Sequence, residues 1–449
     1  MHGYHYHFRR SARQVYREIE QDIRSCLLEM ILHLDLDAFF VSAHRSIDKT
    51  LIGKKVAVGG RSDQFIFQKH QKKRKAMLSN NGAFVQSLFF SKDKKYDSNF
   101  YKDGNRIRGI ITTASYEARK YGIKTGISIK EALLLCSDLI VLPPDMMLYH
   151  SLSHRLKLFL KRNLPVVEQY SIDEFFADCS GYIDDGNVLE YAKWLQSEIE
   201  KKFHLPISIG IAKTKWIAKL ATSRAKPKGL LLIEDGFLYD FIKDIAIEEF
   251  PGIGKAWVRK LHRYKKFTLD DIYNSKALLY SWGRAGRELY DKVSGDFFES
   301  LNAHRDRKSI GISRTFDPLL DREEIKRRIY ILSRHLSFIM TKLDAHPTTI
   351  HLSVKYEFKE RSKKDKTLHR VFSETFLKNE FIKLFDEIDI YKHTKIIRLS
   401  LSLSNFKTKQ IYSLIDYNSD KTLYNLSKNI NSLREKYGLD IVKNAIEFA

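Results

Sequence analysis

Two short acidic stretches carry the residues best suited to chemistry. "ILHLDLDAFF" runs from Ile31 to Phe40 and alternates apolar residues with His and Asp, the pattern of a half-buried strand. Asp35 and Asp37 stand two apart, so on a strand they share one face. "YSIDEFFAD" at 170–178 sets Asp173 and Glu174 side by side among Ile172, Phe175 and Phe176. Carboxylates among aromatic rings are costly unless a cation offsets their charge. A sheet that makes the two stretches neighbours brings Asp35 up to Asp173 and Glu174. Three carboxylates with no His or Cys among them favour a hard divalent ion, Mg²⁺ before Zn²⁺. Two such ions, about 3.5–4 Å apart, would clamp the attacking and leaving oxygens of a phosphoryl transfer. An isolated acid is more often salt-bridged or solvated; two acid clusters in apolar strands of a basic chain reverse that balance.

The elements that must position these acids follow from periodicity. "KVAV" at 55–58 ends in Gly59-Gly60, a strand and a turn. Residues 62–108 turn polar and basic, interleaved with Phe and Tyr. That text fits a solvated loop, or a surface that holds phosphates and stacks on bases. Helices are expected to open near Ser115 and Ser128, and an amphipathic one to span 148–163. A strand pair around "VVEQYSIDEFFADCS", a helix at 187–203, a strand at 206–212 and a helix at 213–223 follow. The order is β-α-β-β-α-β, the split βαβ arrangement, in which the first strand lies beside the middle hairpin. From 234 the pattern is helical, and "FPGIGKAWVRKL" places Gly252 and Gly254 between two helices, where exposed backbone N–H groups suit a phosphate. A helix at 321–344 with the runs "TIHLSVKYEF" and "IIRLSLSLSNF" forms a separate small α+β domain, and 416–449 reads as a polar helical tail. Residues 1–29 form a basic extension, with Met30 as the expected natural start.

Composition bounds the partners. The 449 residues allow roughly two to four domains. Lys plus Arg is 78 against 55 Asp plus Glu, a formal net charge of +23. Such an excess favours a polyanion, nucleic acid first and an anionic membrane surface second, although a Lys-rich coding bias gives the same count. Cys26, Cys136 and Cys179 are far apart and form no CxxC, which fits a reducing cytoplasm and argues against a disulfide framework or zinc site. No run approaches the roughly 18 apolar residues of a membrane span. The N-terminus lacks the apolar core of a secretory signal. His2, His5 and His7 there are either an adventitious metal binder or part of a frayed tail.

Taken together, "HLDLDAFF", "TTASYEARKYGIKTGISI", "YSIDEFFAD", "ISIGIAKTKWIAKLATSRAKPKG" and "PGIGKAWVRKL" resemble, in order and spacing, a Y-family (translesion) DNA polymerase of the bacterial polymerase IV/UmuC group. The resemblance runs from about Met30 onward and is most specific over 31–264. It implies an α+β multidomain right hand. A ferredoxin-like palm would occupy 30–37 and 145–233, and fingers 38–144 with a long basic insertion at 62–108. A helix-hairpin-helix thumb would follow at 234–302, a linker at 303–311, an α+β little finger at 312–406 and a tail at 407–449. The family's metal ligands would fall on Asp35, Asp173 and Glu174, with the Leu36 backbone carbonyl, for two Mg²⁺ ions. Asp37 matches an acid of the motif that is not a principal ligand. Phe40 takes the steric-gate position that excludes a 2′-OH, with Phe39 stacked nearby; Thr113, Tyr116, Arg119 and Lys226 would hold the dNTP triphosphate. DNA contacts would come from Gly252, Gly254, Lys255, Lys308, Arg314 and Arg398. "QIYSLI", with Gln410, Leu414 and Ile415, is similar to the short peptide that docks such enzymes on the sliding clamp, or is a linker.

The implied activity is primer extension on template DNA by a cytoplasmic monomer, with lesion bypass, low fidelity and no proofreading. Two other classes share parts of the pattern: a nucleotidyl cyclase with a split βαβ palm and two metals, and a non-catalytic DNA-binding scaffold. The helix-hairpin-helix and basic last domain argue against the first, and the acids at 35, 173 and 174 against the second.

Overall fold

The computed structural model describes residues 30–60, 64–67, 74–77, 88–91, 100–103, 106–183, 187–304, 306–359, 361–368, 372–407 and 415–447. The N-terminal extension, Gln410 and Leu414 lie outside these; Ile415 is fully exposed. Two compact units share the chain, one running to Lys54 and resuming over Met147–His304, the other made of Lys55–Met146 and Arg305–Ala449.

The first unit opens with β1 (Ile31–Leu36) and α1 (Phe39–Ile47). The chain then enters the second unit through β2 (Val56–Gly60), β3 (Ile110–Ala114), α2 (Tyr116–Arg119), α3 (Ile129–Leu135) and β4 (Ile140–Leu142). It returns through α4 (Met146–Asn163), β5 (Val166–Gln169), β6 (Glu174–Asp178), α5 (Val188–Phe203), β7 (Ile207–Ala212), α6 (Lys215–Ala225) and β8 (Leu230–Ile233). Helices α7 (Lys255–Arg263), α8 (Leu269–Tyr273), α9 (Lys276–Ser281) and α10 (Arg284–Ser294) complete it. The second unit resumes with β9 (Ser309–Leu319), α11 (Arg322–Lys342), β10 (His346–Tyr356), β11 (Arg361–Thr367), α12 (Glu374–Ile388), β12 (Ile396–Lys407) and α13 (Tyr417–Tyr437).

The sheet of the first unit has the order β8-β7-β1-β6-β5. β1 is antiparallel to both neighbours, and β8 adds a parallel edge. This is the split βαβ order expected from the sequence, extended by one strand. All six residues of β1 are buried, so its polar members must find partners inside. α6 lies close against β7 because Gly210 has no side chain: a Cβ there would stand 2.2 Å from the Ala218 carbonyl oxygen. Ile31, Phe176, Ile217 and Leu220 join Phe250, Leu261, Leu289 and Tyr290 in one core, which seats α7–α10 on the sheet unit.

In the second unit β3-β2-β4 form one sheet and β9-β12-β10-β11 another. β9 starts at Ser309, inside the stretch read as a linker. The apolar face of the larger sheet, Ile310, Leu352, Val354, Leu399 and Leu401, packs with Ile325, Ile329, Phe381 and Leu384 of α11 and α12.

Two described residues of the insertion fit neither reading of its composition. Ile66 and Phe67 are buried in this same core. Arg327 donates to the Phe67 carbonyl at 2.8 Å, and the Arg328 guanidinium lies 4.5 Å from the Phe67 ring and 4.4 Å from Phe316. Arg108, at the insertion's far end, pairs with Asp317 on β9. The tail is helical over Tyr417–Tyr437, as read, and its end adds a buried acid. Glu447 is buried and accepts from Arg334 at 2.7 Å and Lys378 at 2.9 Å, while Glu374 takes Lys378 at 2.8 Å and Arg434.

These cations hold the Glu374 and Glu447 carboxyls below the ordinary glutamate value of 4.5, winning against burial, which pushes them up. Each therefore contributes stability that is complete above about 4.5 and lost as pH falls toward the depressed folded value. We expect Glu447→Ala to lower the unfolding free energy of this unit by about 3–5 kcal/mol at pH 7, because Arg334 and Lys378 stay buried without it. The difference from the parent should shrink on acidification below pH 4.5; denaturant titration at several pH values measures both.

Candidate active site

The β1–β6 register sets Asp35 directly opposite Glu174, with Asp173 one residue ahead of the strand. The Leu36 N–H donates to the Asp173 carbonyl at 3.0 Å, which pins the approach to β6 against the end of β1. Burial pushes the Asp35 carboxyl up to about 7; Lys226 pulls it down, while the Glu174 and Asp173 charges add to the rise. Burial raises Asp173 as well, against a hydrogen bond from the Ser171 hydroxyl. The sequence-predicted triad is thus brought together, at a cost in charge repulsion that a divalent cation would remove.

One expectation needs correcting. The cluster is not free of histidine: ligand atoms of His33, Asp35 and Glu174 all lie within 4.8 Å of one another. His33 precedes Asp35 by two, so the strand period puts both on one face. Its Nδ1 meets the Thr222 hydroxyl at 2.9 Å, its ring packs on Phe176 at 4.5 Å, and Nε2 has no hydrogen-bond partner among the described residues. Burial, with Lys219, Lys226 and Lys215 nearby, keeps the imidazole neutral. That buried nitrogen and the Asp35 and Glu174 carboxylates make a donor set that fits a divalent ion.

A lysine stripe on α6 answers the acids. Lys215 meets Glu168 at 2.8 Å, Lys219 meets Glu174 at 2.7 Å, and Lys226, just past the helix, meets Asp35 at 2.6 Å. Sequence reasoning found only Lys226. The 215–219 spacing, one helical turn apart, was the available signal for the others.

Asp37 lies one residue beyond β1, and its carboxylate is engaged elsewhere. It accepts from the Ser208 hydroxyl at 2.9 Å and the Lys228 N–H at 2.8 Å. Next, Ala38 adopts φ 44°, a left-handed turn that starts α1 and buries Phe39 while leaving Phe40 half-buried. The Phe40 ring stacks on Tyr149, centroids 4.2 Å apart and 9° from parallel, and the Tyr149 hydroxyl meets His44 Nε2 at 2.8 Å. Tyr149 and His44, which back this ring, were not singled out from sequence.

The remaining candidates divide between the units. Gly252, at φ 97°, and Gly254, at the start of α7, have open space where a Cβ would stand, and Lys255 is exposed beside them. In the second unit Thr113 lies on β3 opposite Val58. Arg119 stands 4.6 Å over the Tyr116 ring, with its Nε bonded to the Ala114 carbonyl. Lys308 is exposed; Arg314 is half-buried and donates to Ser313. Arg398 is exposed on β12 and sits in register with Lys355 of β10, which in turn opposes Arg361 of β11. Like charges directly opposite one another are unfavourable until an anion joins them, so this open face suits a phosphate backbone. No described helix is long and apolar enough to cross a membrane.

Removing the Asp37 carboxylate should act on stability and leave ion binding intact. We expect Asp37→Ala to cost about 1–3 kcal/mol, from the buried Ser208 hydroxyl and the partly buried Lys228 N–H left without an acceptor. Mn²⁺ titration of the folded variant should give the parent affinity; a tenfold loss would make Asp37 a ligand.

Comparison with known proteins bears on the family and the fold. The sequence model of the impB/mucB/samB family matches residues 34–223, and that of the family's C-terminal domain matches 307–414. A DNA polymerase IV of Staphylococcus saprophyticus is 28% identical over 394 residues, covering 86% of this chain and 98% of the relative. One of Staphylococcus aureus is also 28% identical, covering 86% and 99%. Among solved structures, a Y-family DNA polymerase chimera has a TM-score of 0.68 at 22% identity, covering 85% of this chain and all of the other. An insertion ternary complex of Dbh DNA polymerase has a TM-score of 0.53 at 22% identity, covering 86% and 100%. At that identity the structures show the shared fold.

Proposed function

The chain belongs to the impB/mucB/samB family, and from that membership we infer that it is a DNA-directed DNA polymerase of the translesion type. It adds dNMP from dNTP to a primer 3′-OH. The observation that carries the reading is Asp35 paired in register with Glu174, with Asp173 beside them, at the centre of a buried sheet. Asp35, Asp173, Glu174 and the Leu36 carbonyl would hold two Mg²⁺ ions, which supply charge stabilisation for in-line attack on the α-phosphate and departure of pyrophosphate.

The chain's own groups do the positioning. Lys226, Tyr116, Arg119 and Thr113 hold the triphosphate by charge and hydrogen bonding. Phe40, braced by Tyr149, lies under the sugar and excludes a 2′-OH. The hairpin at Gly252–Gly254 and the basic face with Arg398 track primer–template phosphates. Gln410–Ile415 serves as a clamp-docking peptide, a reading supported by the exposure of Ile415.

Primer extension with Mg²⁺ and dNTPs tests the reading. Asp173→Ala with Glu174→Ala should abolish extension while leaving the DNA gel shift intact; loss of both would signal misfolding. Phe40→Ala should admit ribonucleotides, with discrimination falling by about 10²-fold or more as a buried steric contact is removed. Arg398→Ala should weaken DNA binding across sequences and reduce the salt slope by about one.

A further inference from the structure

We propose that Lys226 makes divalent-ion binding at Asp35 conditional on the nucleotide, by holding the Asp35 carboxylate until a triphosphate draws the lysine away. The inference rests on reading this site as a nucleotide-dependent polymerase.

The argument begins with two cations and one oxygen. Lys226 Nζ is 2.6 Å from Asp35 Oδ1. An ammonium so placed repels a divalent ion approaching the same carboxylate, so one must leave. Asp35 faces Glu174 and His33, the other members of the cluster, so this is the carboxylate an incoming ion most needs.

The neighbouring lysine shows why Lys226 is the one that moves. Lys219 sits within α6, 2.7 Å from Glu174 and 4.8 Å over the Tyr170 ring, and gives up both contacts if it swings out. Lys226 lies one residue past the helix, in extended backbone at ψ 143°, with over a quarter of its side chain exposed. Its ammonium can turn toward solvent without disturbing the helix. A triphosphate offers it several anionic oxygens in place of one carboxylate. Lys219 is then a fixed counter-charge and Lys226 a transferable one. Linkage makes the effect reciprocal: whatever factor the nucleotide adds to ion affinity, the ion adds to nucleotide affinity.

The test uses the full chain without DNA, following free Mn²⁺ by electron paramagnetic resonance. Without nucleotide, Lys226→Met should bind Mn²⁺ roughly 5- to 100-fold more tightly than the parent, the usual span of a coupling between two sites. Lys226→Arg keeps the charge and should stay near the parent. Adding Asp35→Asn to Lys226→Met should erase the gain. With a non-hydrolysable dNTP analogue, corrected for ion carried by free nucleotide, the parent should show positive coupling and Lys226→Met should not. Unchanged or weaker Mn²⁺ binding by Lys226→Met overturns the proposal, as does a gain that survives Asp35→Asn. Thermal melts establish that each variant is folded. A parent that fails to extend a primer would refute the polymerase reading separately, since no DNA enters the ion titration.

Discussion

Massed like charge inside a sheet is the constraint on which the first unit depends. Glu168, Glu174 and Asp35 stand on three successive strands, β5, β6 and β1. Neighbouring strands are about 4.8 Å apart and one helical turn rises about 5.4 Å. A helix laid across the strands therefore presents successive turns to successive strands. α6 does this with Lys215 and Lys219, and Lys226, one residue past its end, meets Asp35 on the next strand. The match needs a helix close to the sheet, which Gly210 permits, and a helix held firmly, which the core shared with α7–α10 provides. Glu168, Glu174 and Asp35 are in this way each held against a cation by the fold.

The second unit handles charge in the opposite manner. Arg398, Lys355 and Arg361 face one another across three strands on the open side of the sheet. Where the first unit answers each central acid with a cation of its own, this face lines up cations across adjacent strands. The first arrangement suits small ions held at a point; the second favours an extended polyanion whose charges repeat at regular spacing.

Local periodicity made much of this legible. The period of two put Asp35 in β1 and the apolar rhythm placed β6, so the acid cluster followed from strand order alone. The same period placed His33 on that face, but attention to acids passed over it. The α6 lysines were visible at helical spacing, yet their partners lie 45 to 191 residues away in sequence, a pairing that only tertiary structure reveals. Ile66 and Phe67 belong to a short apolar run, "FIF" at 65–67, and composition averaged over 62–108 hid it. Glu447 shows the same limit from the other side: a buried ion pair and a solvated one are written with the same letters.

The insertion and the tail also bear on how the chain must fold. Arg327 on α11 touches the Phe67 carbonyl 260 residues earlier and the Glu447 carbonyl 120 residues later. Such contacts close very long loops and raise the contact order of the unit well above that of its sheet and helices. During synthesis, residues 66 and 67 must wait for α11, and α11 keeps buried cations without their partner until residue 447 has been made. The second unit thus completes its core late, after the first unit's sheet and helices have all been translated, and a break at either outlying segment would leave the same unit unfinished.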